Sequence, residues 1–310
     1  MAAHGEGPIP ALARGGIDRS ADERSRPGLL DRLRHDVAAR VLLIHGDAAP
    51  VSGSGLRYLS TSEVPGEAEW AFLGRDAAGA PLLTAVLPDG AEAPSAIGEW
   101  GSLRATGGDL PAADADAFVE ALSLGRWLRD AAFCPACGAR TELRTAGWSR
   151  LCSSCGREHF PRTDPAIIVA VTSGSDPDRI LLGSNALWGA NRFSCFAGFV
   201  EAGESLETAV TREVGEEAGV RVTDIEYRSS QAWPYPRSLM LGFRAVAVVD
   251  GEARPDGEEI AAVRWFTRDE IRSALDRGDT WDGSSEDGLL LPGRASIAHR
   301  LIVDWCAGVA

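Results

Sequence analysis

Residues 198–220, GFVEAGESLETAVTREVGEEAGV, allow one local solution: a helix of about four turns whose acidic residues continue its apolar stripe. Ser205 is a good N-cap and Gly219 a good C′ residue, so both ends are marked. At 100° per residue Leu206, Ala209, Val210 and Val214 share one face, and Glu213, Glu216 and Glu217 fall on or beside the same meridian further along. The acids are therefore expected to point inward. Three carboxylates at a helix C-terminus repel one another and oppose the macrodipole. A hard cation with oxygen ligands, Mg²⁺ or Mn²⁺, resolves that conflict. The ordinary alternative, a solvated acidic helix, would set its acids opposite the stripe. Gly215 in mid-helix costs roughly 1 kcal/mol relative to Ala.

Four of the six cysteines form a second pattern, Cys134-Pro-Ala-Cys137-Gly and Cys152-Ser-Ser-Cys155-Gly. Two tandem CxxC knuckles at this spacing suit a four-thiolate ribbon holding structural Zn²⁺ on Cys134, Cys137, Cys152 and Cys155. A redox pair is the rival, and such motifs seldom come in tandem. Cys195 and Cys306 have no such partners and read as buried apolar residues.

The net charge of −14 argues against a protein that grips nucleic acid through a broad basic surface. All 31 basic residues are Arg, which excludes Schiff-base lysine chemistry and a P-loop. The first sixteen residues lack an apolar signal core, and no run approaches 18 apolar residues, so a cytoplasmic protein without a membrane span is expected.

Along the chain, residues 1–28 are Gly, Pro, Arg and Asp rich without periodicity and are expected to be mobile. Residues 29–130 read as a small α+β domain, with helices over 29–39 and 113–133 and a strand at VLLIHG. The ribbon follows over 131–163. In 164–310 the apolar run IIVAVT, several further strand-like pieces, and helices at TRDEIRSALDRG, with Thr267 as N-cap, and ASIAHRLIVDWCA predict a mixed sheet covered on both faces, an α/β/α sandwich. A stiff Pro-flanked aromatic loop, Ser230-Gln-Ala-Trp-Pro-Tyr-Pro-Arg-Ser238, could stack a ring while bonding a polar edge.

The spacing Gly198, five residues, Glu204, seven residues, Arg212-Glu213-Val214-Gly215-Glu216-Glu217-Ala218-Gly219-Val220 matches every fixed position of the Nudix box, so the chain resembles a Nudix hydrolase. The loop SQAWPYPRS resembles the SQPWPFPxS signature of NudC-type NADH pyrophosphatases, with Ala232 for Pro and Tyr235 for Phe. That resemblance covers nearly the whole chain. It implies hydrolysis of NAD(H) to AMP and nicotinamide mononucleotide, possible removal of NAD caps from RNA, and a homodimer.

It also implies roles by position. Glu213, Glu216 and Glu217 match metal-binding carboxylates, Glu217 resembling the one that activates water, and Arg212 matches the residue that orients them. Glu259 matches a further metal-site acid, with the adjacent Glu258 as the alternative. Ions held there would neutralise phosphate charge and lower the pKa of a bound water. Phe199 resembles a ring stacked on adenine, and Phe160 an aromatic supplied by the second subunit, with core packing as the alternative for both. Gln231, Trp233, Tyr235, Ser238, Met240 and Ala298 match positions near the nucleotide. Competing readings are a sister Nudix specificity, such as ADP-ribose or a dinucleoside polyphosphate, and a zinc-ribbon binding module with a silent hydrolase domain.

Overall fold

PLLTAV at 81–86 has no charged residue and is buried along its whole length, the mark of a strand covered on both faces. In the computed structural model, which describes residues 9–278 and 288–309, this strand is the centre of a three-stranded sheet. The strands of the N-terminal half are β1 (Arg40–Ile44), β2 (Ala48–Ser52), β3 (Gly55–Leu56), β4 (Glu69–Arg75), β5 (Pro81–Val86) and β6 (Trp100–Ser102). β5 pairs in parallel with β1 and antiparallel with β4, and β2 joins β3 and β6 in a second sheet. Its helices are α1 (Leu29–Leu33), α2 (Leu103–Thr106) and α3 (Ala112–Asp130), of which α3 packs along β1, β4 and β5. Leu43, Trp70, Phe72 and Leu83 share one core cluster. The helix expected over 29–39 is only five residues long. Beyond it the Asp36 carboxylate accepts from the Ala38 amide at 2.9 Å, a local bond that competes with helix continuation.

Three short antiparallel strands, β7 (Thr141–Arg144), β8 (Ser149–Cys152) and β9 (Glu158–His159), follow the first knuckle and frame the second. Arg14–Thr163 and Trp233–Arg237 form one compact unit, so the ribbon groups with the N-terminal half. Of the described residues, 9–13, 164–232, 238–278 and 288–309 form the other.

Residues 1–8 of the segment expected to be mobile lie outside the described residues. Residues 14–28, however, are tied down. Asp18 and Arg75 exchange backbone bonds of 3.0 and 2.7 Å, Glu23 accepts from the Arg75 guanidinium at 2.7 and 2.9 Å, and Arg24 lies 3.6 Å over the Trp148 ring. Partners this distant in sequence leave no periodic trace in the segment itself.

The second unit contains β10 (Asp164–Ser173), β11 (Arg179–Asn185), β12 (Phe196–Phe199), α4 (Leu206–Ala218), β13 (Val222–Trp233), β14 (Ser238–Ala247), β15 (Ile260–Thr267), α5 (Arg268–Arg277) and α6 (Ile297–Cys306). Its sheet runs β13-β14-β10-β11-β15, with β12 also paired to β10. β10 and β14 are parallel, whereas β10–β11, β10–β12 and β11–β15 are antiparallel, so the sheet is mixed. Strand alternation then decides the layers. Ile167, Val169 and Val171 pack against Ala209, Val210 and Val214 of α4. Ile168 and Ala170 face Ile271 of α5 and Leu301 and Ile302 of α6. The result is the α/β/α sandwich. Thr267 caps α5 and forms a capping box with Glu270. Among the described residues no helix is long and apolar enough to cross a membrane.

Candidate active site

The Ser205 hydroxyl accepts the Thr208 amide at 3.2 Å and Gly219 turns left-handed at φ 65°, so α4 starts and stops where its caps require. Nearly two turns into the helix, Arg212 becomes the hub of the site. Its Nε and Nη2 donate to the two oxygens of Glu204 at 2.9 Å each, and its Nη1 donates to Glu213 at 2.9 Å and to Glu216 at 3.0 Å. Nη2 also donates to the Phe199 carbonyl at 2.9 Å, which joins the helix to the end of β12. The Glu204 hydrogen bonds, foremost among these contacts, raise the Arg212 pKa further, and the same bond holds the Glu204 carboxyl below its usual range.

Glu213 lies so close under β12 that a Cβ on Gly198 would overlap its carboxylate, which explains the glycine at that position of the box. Glu217 is 6% exposed. Burial, then the charges of Glu259 and Glu213, push its carboxyl from the ordinary 4.5 up to about 8, against a bond from the Ala197 amide. Its Oε2 is buried and has no hydrogen-bond partner among the described residues. Burial also raises Glu213, Arg212 opposes this, and Glu216 and Glu259 add to it. A buried acceptor without a donor, in a field of like charge, is a place where a divalent cation would be stabilised, although the carboxylates of Glu213, Glu217 and Glu259 do not gather as closely as the four cysteine sulfurs of the ribbon do.

Glu216 departs from expectation: its side chain is 61% exposed. Successive positions turn by 100°, so Glu216 and Glu217 fall to opposite sides of Glu213, and only Glu217 reaches the core side. Glu258 and Glu259 are both exposed, on the turn where the Asp256 carboxylate accepts three amides. Of the two it is Glu259 whose charge acts on both Glu217 and Glu213.

In the ribbon the four sulfurs of Cys134, Cys137, Cys152 and Cys155 lie within 4.8 Å of one another, the one such group of possible ligands among the described residues. Cys155 donates its amide to Cys152 Sγ at 3.4 Å, and this bond, ahead of burial which opposes it, holds the Cys152 thiol down to about 6. Four sulfurs gathered this closely suit Zn²⁺. His159 Nε2 stands 3.2 Å from Cys134 Sγ, a contact that the spacing of the cysteines did not show.

The remaining positions divide between the two units. Phe199 is 53% and Phe160 56% exposed, so neither ring serves as core. Gln231 is buried, donates Nε2 to the Ala295 carbonyl at 3.0 Å, and has no partner for Oε1 among the described residues. Ser238 is buried beside Asp164, while Met240 packs on the cluster that holds Ala298 at the start of α6. Trp233 and Tyr235 belong with the N-terminal unit, where Arg104 lies 3.8 Å over the Tyr235 ring and 5.3 Å over that of Trp233.

A Nudix domain model matches residues 162–285 and an NADH pyrophosphatase zinc ribbon model matches 129–160. The NAD-capped RNA hydrolases NudC of Mycobacterium bovis and Mycobacterium tuberculosis are each 40% identical over 309 residues, spanning 96% of this chain and 95% of theirs. This chain belongs to the NudC-type Nudix hydrolases. The human NAD-capped RNA hydrolase NUDT12 is 36% identical over 200 residues, covering 62% of this chain and 42% of its own.

Within this NudC-type chain, three side chains, two at the carboxylates and one in the ribbon, escaped sequence reasoning. Glu204 stood in the box but its bidentate grip on Arg212 did not show. Asp256 contributes charge at Glu217 from a turn whose geometry depends on its own carboxylate. His159 lay one residue before the aromatic that drew attention, and a His beside a CxxC pair is the signal that could have found it.

Proposed function

We propose that this chain hydrolyses the pyrophosphate bond of NAD(H) to AMP and nicotinamide mononucleotide, and removes the same dinucleotide cap from RNA 5′ ends. The observation that carries the reading is Glu217: a buried carboxylate with one oxygen unpartnered among the described residues, crowded by Glu213 and Glu259, at the inner end of a Nudix helix. The substrate assignment rests on the NudC relatives, which are NAD-capped RNA hydrolases across nearly the same length.

Glu213, Glu217 and Glu259 would hold Mg²⁺ or Mn²⁺, which when bound supplies charge neutralisation at the pyrophosphate and a more acidic water. Arg212 keeps Glu213 in place against their mutual repulsion. Glu217, anchored by the Ala197 amide, presents its free oxygen to orient the attacking water and take its proton. Phe199 offers an exposed face for the adenine, worth about 1 to 3 kcal/mol by stacking. In a homodimer Phe160 of a second copy would cover the opposite face. Cys134, Cys137, Cys152 and Cys155 of the ribbon would hold Zn²⁺ in a structural role. The protein acts in the cytoplasm.

The test is a product assay with NADH, NAD-capped RNA and ADP-ribose under Mg²⁺ and under Mn²⁺. NADH should give AMP and NMNH, capped RNA should give a 5′-monophosphate end, and ADP-ribose should turn over more slowly than either. Glu217→Gln should lower turnover by about 10²–10⁴-fold. Faster turnover of ADP-ribose than of both NAD substrates would reject the specificity, and wild-type turnover by the Gln variant would reject the role of Glu217.

A further inference from the structure

The sheet face opposite α4 carries a cavity of about 450 Å³ where β10, β13 and β14 approach the C-terminal end of α6. Ala170, Val246, Leu301 and Trp305 supply its apolar wall, and Arg228 and Arg244 reach it from neighbouring strands. Trp305 is seven residues beyond Ala298, roughly 10 Å along the helix, so the cavity is at the far end of α6 from the positions matched to the nucleotide.

Charge at this cavity is unbalanced. Arg244 Nη2 donates to Glu226 at 3.0 Å, while Arg228 approaches the same carboxylate oxygen only to 4.0 Å, so among the described residues one carboxylate serves two guanidinium groups. The third arginine, Arg268, is fully engaged: its Nε donates to Asp178 at 2.9 Å and its Nη1 caps the Trp305 and Cys306 carbonyls at the end of α6. Asp304 on the rim is paired with Arg300 at 2.9 Å. The side chains of Arg228 and Arg244 are 22% and 31% exposed, so water offsets their mutual repulsion only in part. In a chain of net charge −14 such a cationic corner is unusual, and adjacent guanidinium forks match the oxygens of a phosphate.

We propose that this cavity binds a phosphomonoester of mononucleotide size, its phosphate on Arg228 and Arg244 and its apolar body against Val246, Leu301 and Trp305. The volume falls within the range of about 300–1,000 Å³ usual for small-molecule sites. The site is separate from the carboxylates of α4 and stands whatever the enzyme's own substrate is.

Titration calorimetry of the full chain with AMP, inorganic phosphate and adenosine tests it. The double variant R228Q/R244Q should lose one equivalent of bound AMP per chain, or bind it about tenfold more weakly, with its thermal midpoint and its NADH turnover close to wild type. Adenosine should not fill the site, since the phosphate supplies the charge. An AMP isotherm unchanged in the double variant, or adenosine binding there as tightly as AMP, would overturn the proposal. Should the Gln pair fail to fold, R228K/R244K keeps the charge and removes the forks. It should weaken AMP by about tenfold, and unchanged affinity would count against the site.

Discussion

Gly198 and Glu213 show how tightly single side chains specify the site. A methyl group at 198 would occupy the place of the Glu213 carboxylate, so Gly198→Ala should displace that acid while leaving the packed stripe of α4 intact. The expected outcome is a fall in kcat/KM of about 10²-fold with a small change in melting temperature. Near-wild-type kinetics would show that Glu213 need not hold this position. At this scale the sequence was legible wherever a role depends on angle around a helix and opaque where it depends on depth. The 100° rule set Glu213, Glu216 and Glu217 all on or beside the stripe, and the offset of 100° between neighbours is enough to leave Glu216 mostly in water while Glu217 is enclosed, a difference in depth that the pattern of types alone does not carry. Whether Glu258 or Glu259 faces the cluster depended on a turn that the Asp256 carboxylate holds, which no local periodicity reveals.

Gly215 lies within α4, and a Cβ there would meet nothing within 4 Å. Gly215→Ala should therefore stabilise the protein by roughly 0.5–1 kcal/mol in urea unfolding, with unchanged KM; destabilisation would mean that the open space is used. The loop between β13 and β14 makes the reverse case. The Tyr235 hydroxyl is buried and turned toward the Arg104 backbone and guanidinium, while Arg104 and Arg126 lie 3.8 and 5.1 Å over its ring. Tyr235→Phe keeps the stacked face and removes that polar contact, so the protein should lose about 1 kcal/mol in urea unfolding. An unchanged or higher melting temperature would show that the hydroxyl contributes nothing there. Elements closed by local chemistry, such as α4 with Ser205 and Gly219 or α5 with its capping box, could be read directly from the chain. The segment 14–28 and the residues 233–237 could not, because Arg75, Trp148, Arg104 and Arg126 are their partners and all lie far away in sequence.

For the molecule as a whole, acid–base behaviour exposes one cost built into the N-terminal unit. Glu120 is 3% exposed, neither oxygen has a hydrogen-bond partner among the described residues, and Arg19 and Arg24 approach only to 3.5 and 3.8 Å. Burial, against those two charges, pushes its carboxyl from 4.5 up to about 7. The folded state thus binds this proton more tightly than the unfolded chain. The stability Glu120 contributes is complete below about pH 4.5 and is lost as pH rises toward 7. Glu120→Gln should flatten that part of the melting-temperature profile, and an unchanged slope would place its origin elsewhere. The account as a whole depends on the carboxylates at the inner end of α4 gathering a divalent ion. Its most direct test is a Mn²⁺ titration of the full chain followed by the EPR signal of the free ion, with wild type and Glu217→Gln side by side. Loss of a site, or weakening by at least about tenfold in the variant, is expected; superimposable binding curves would contradict it.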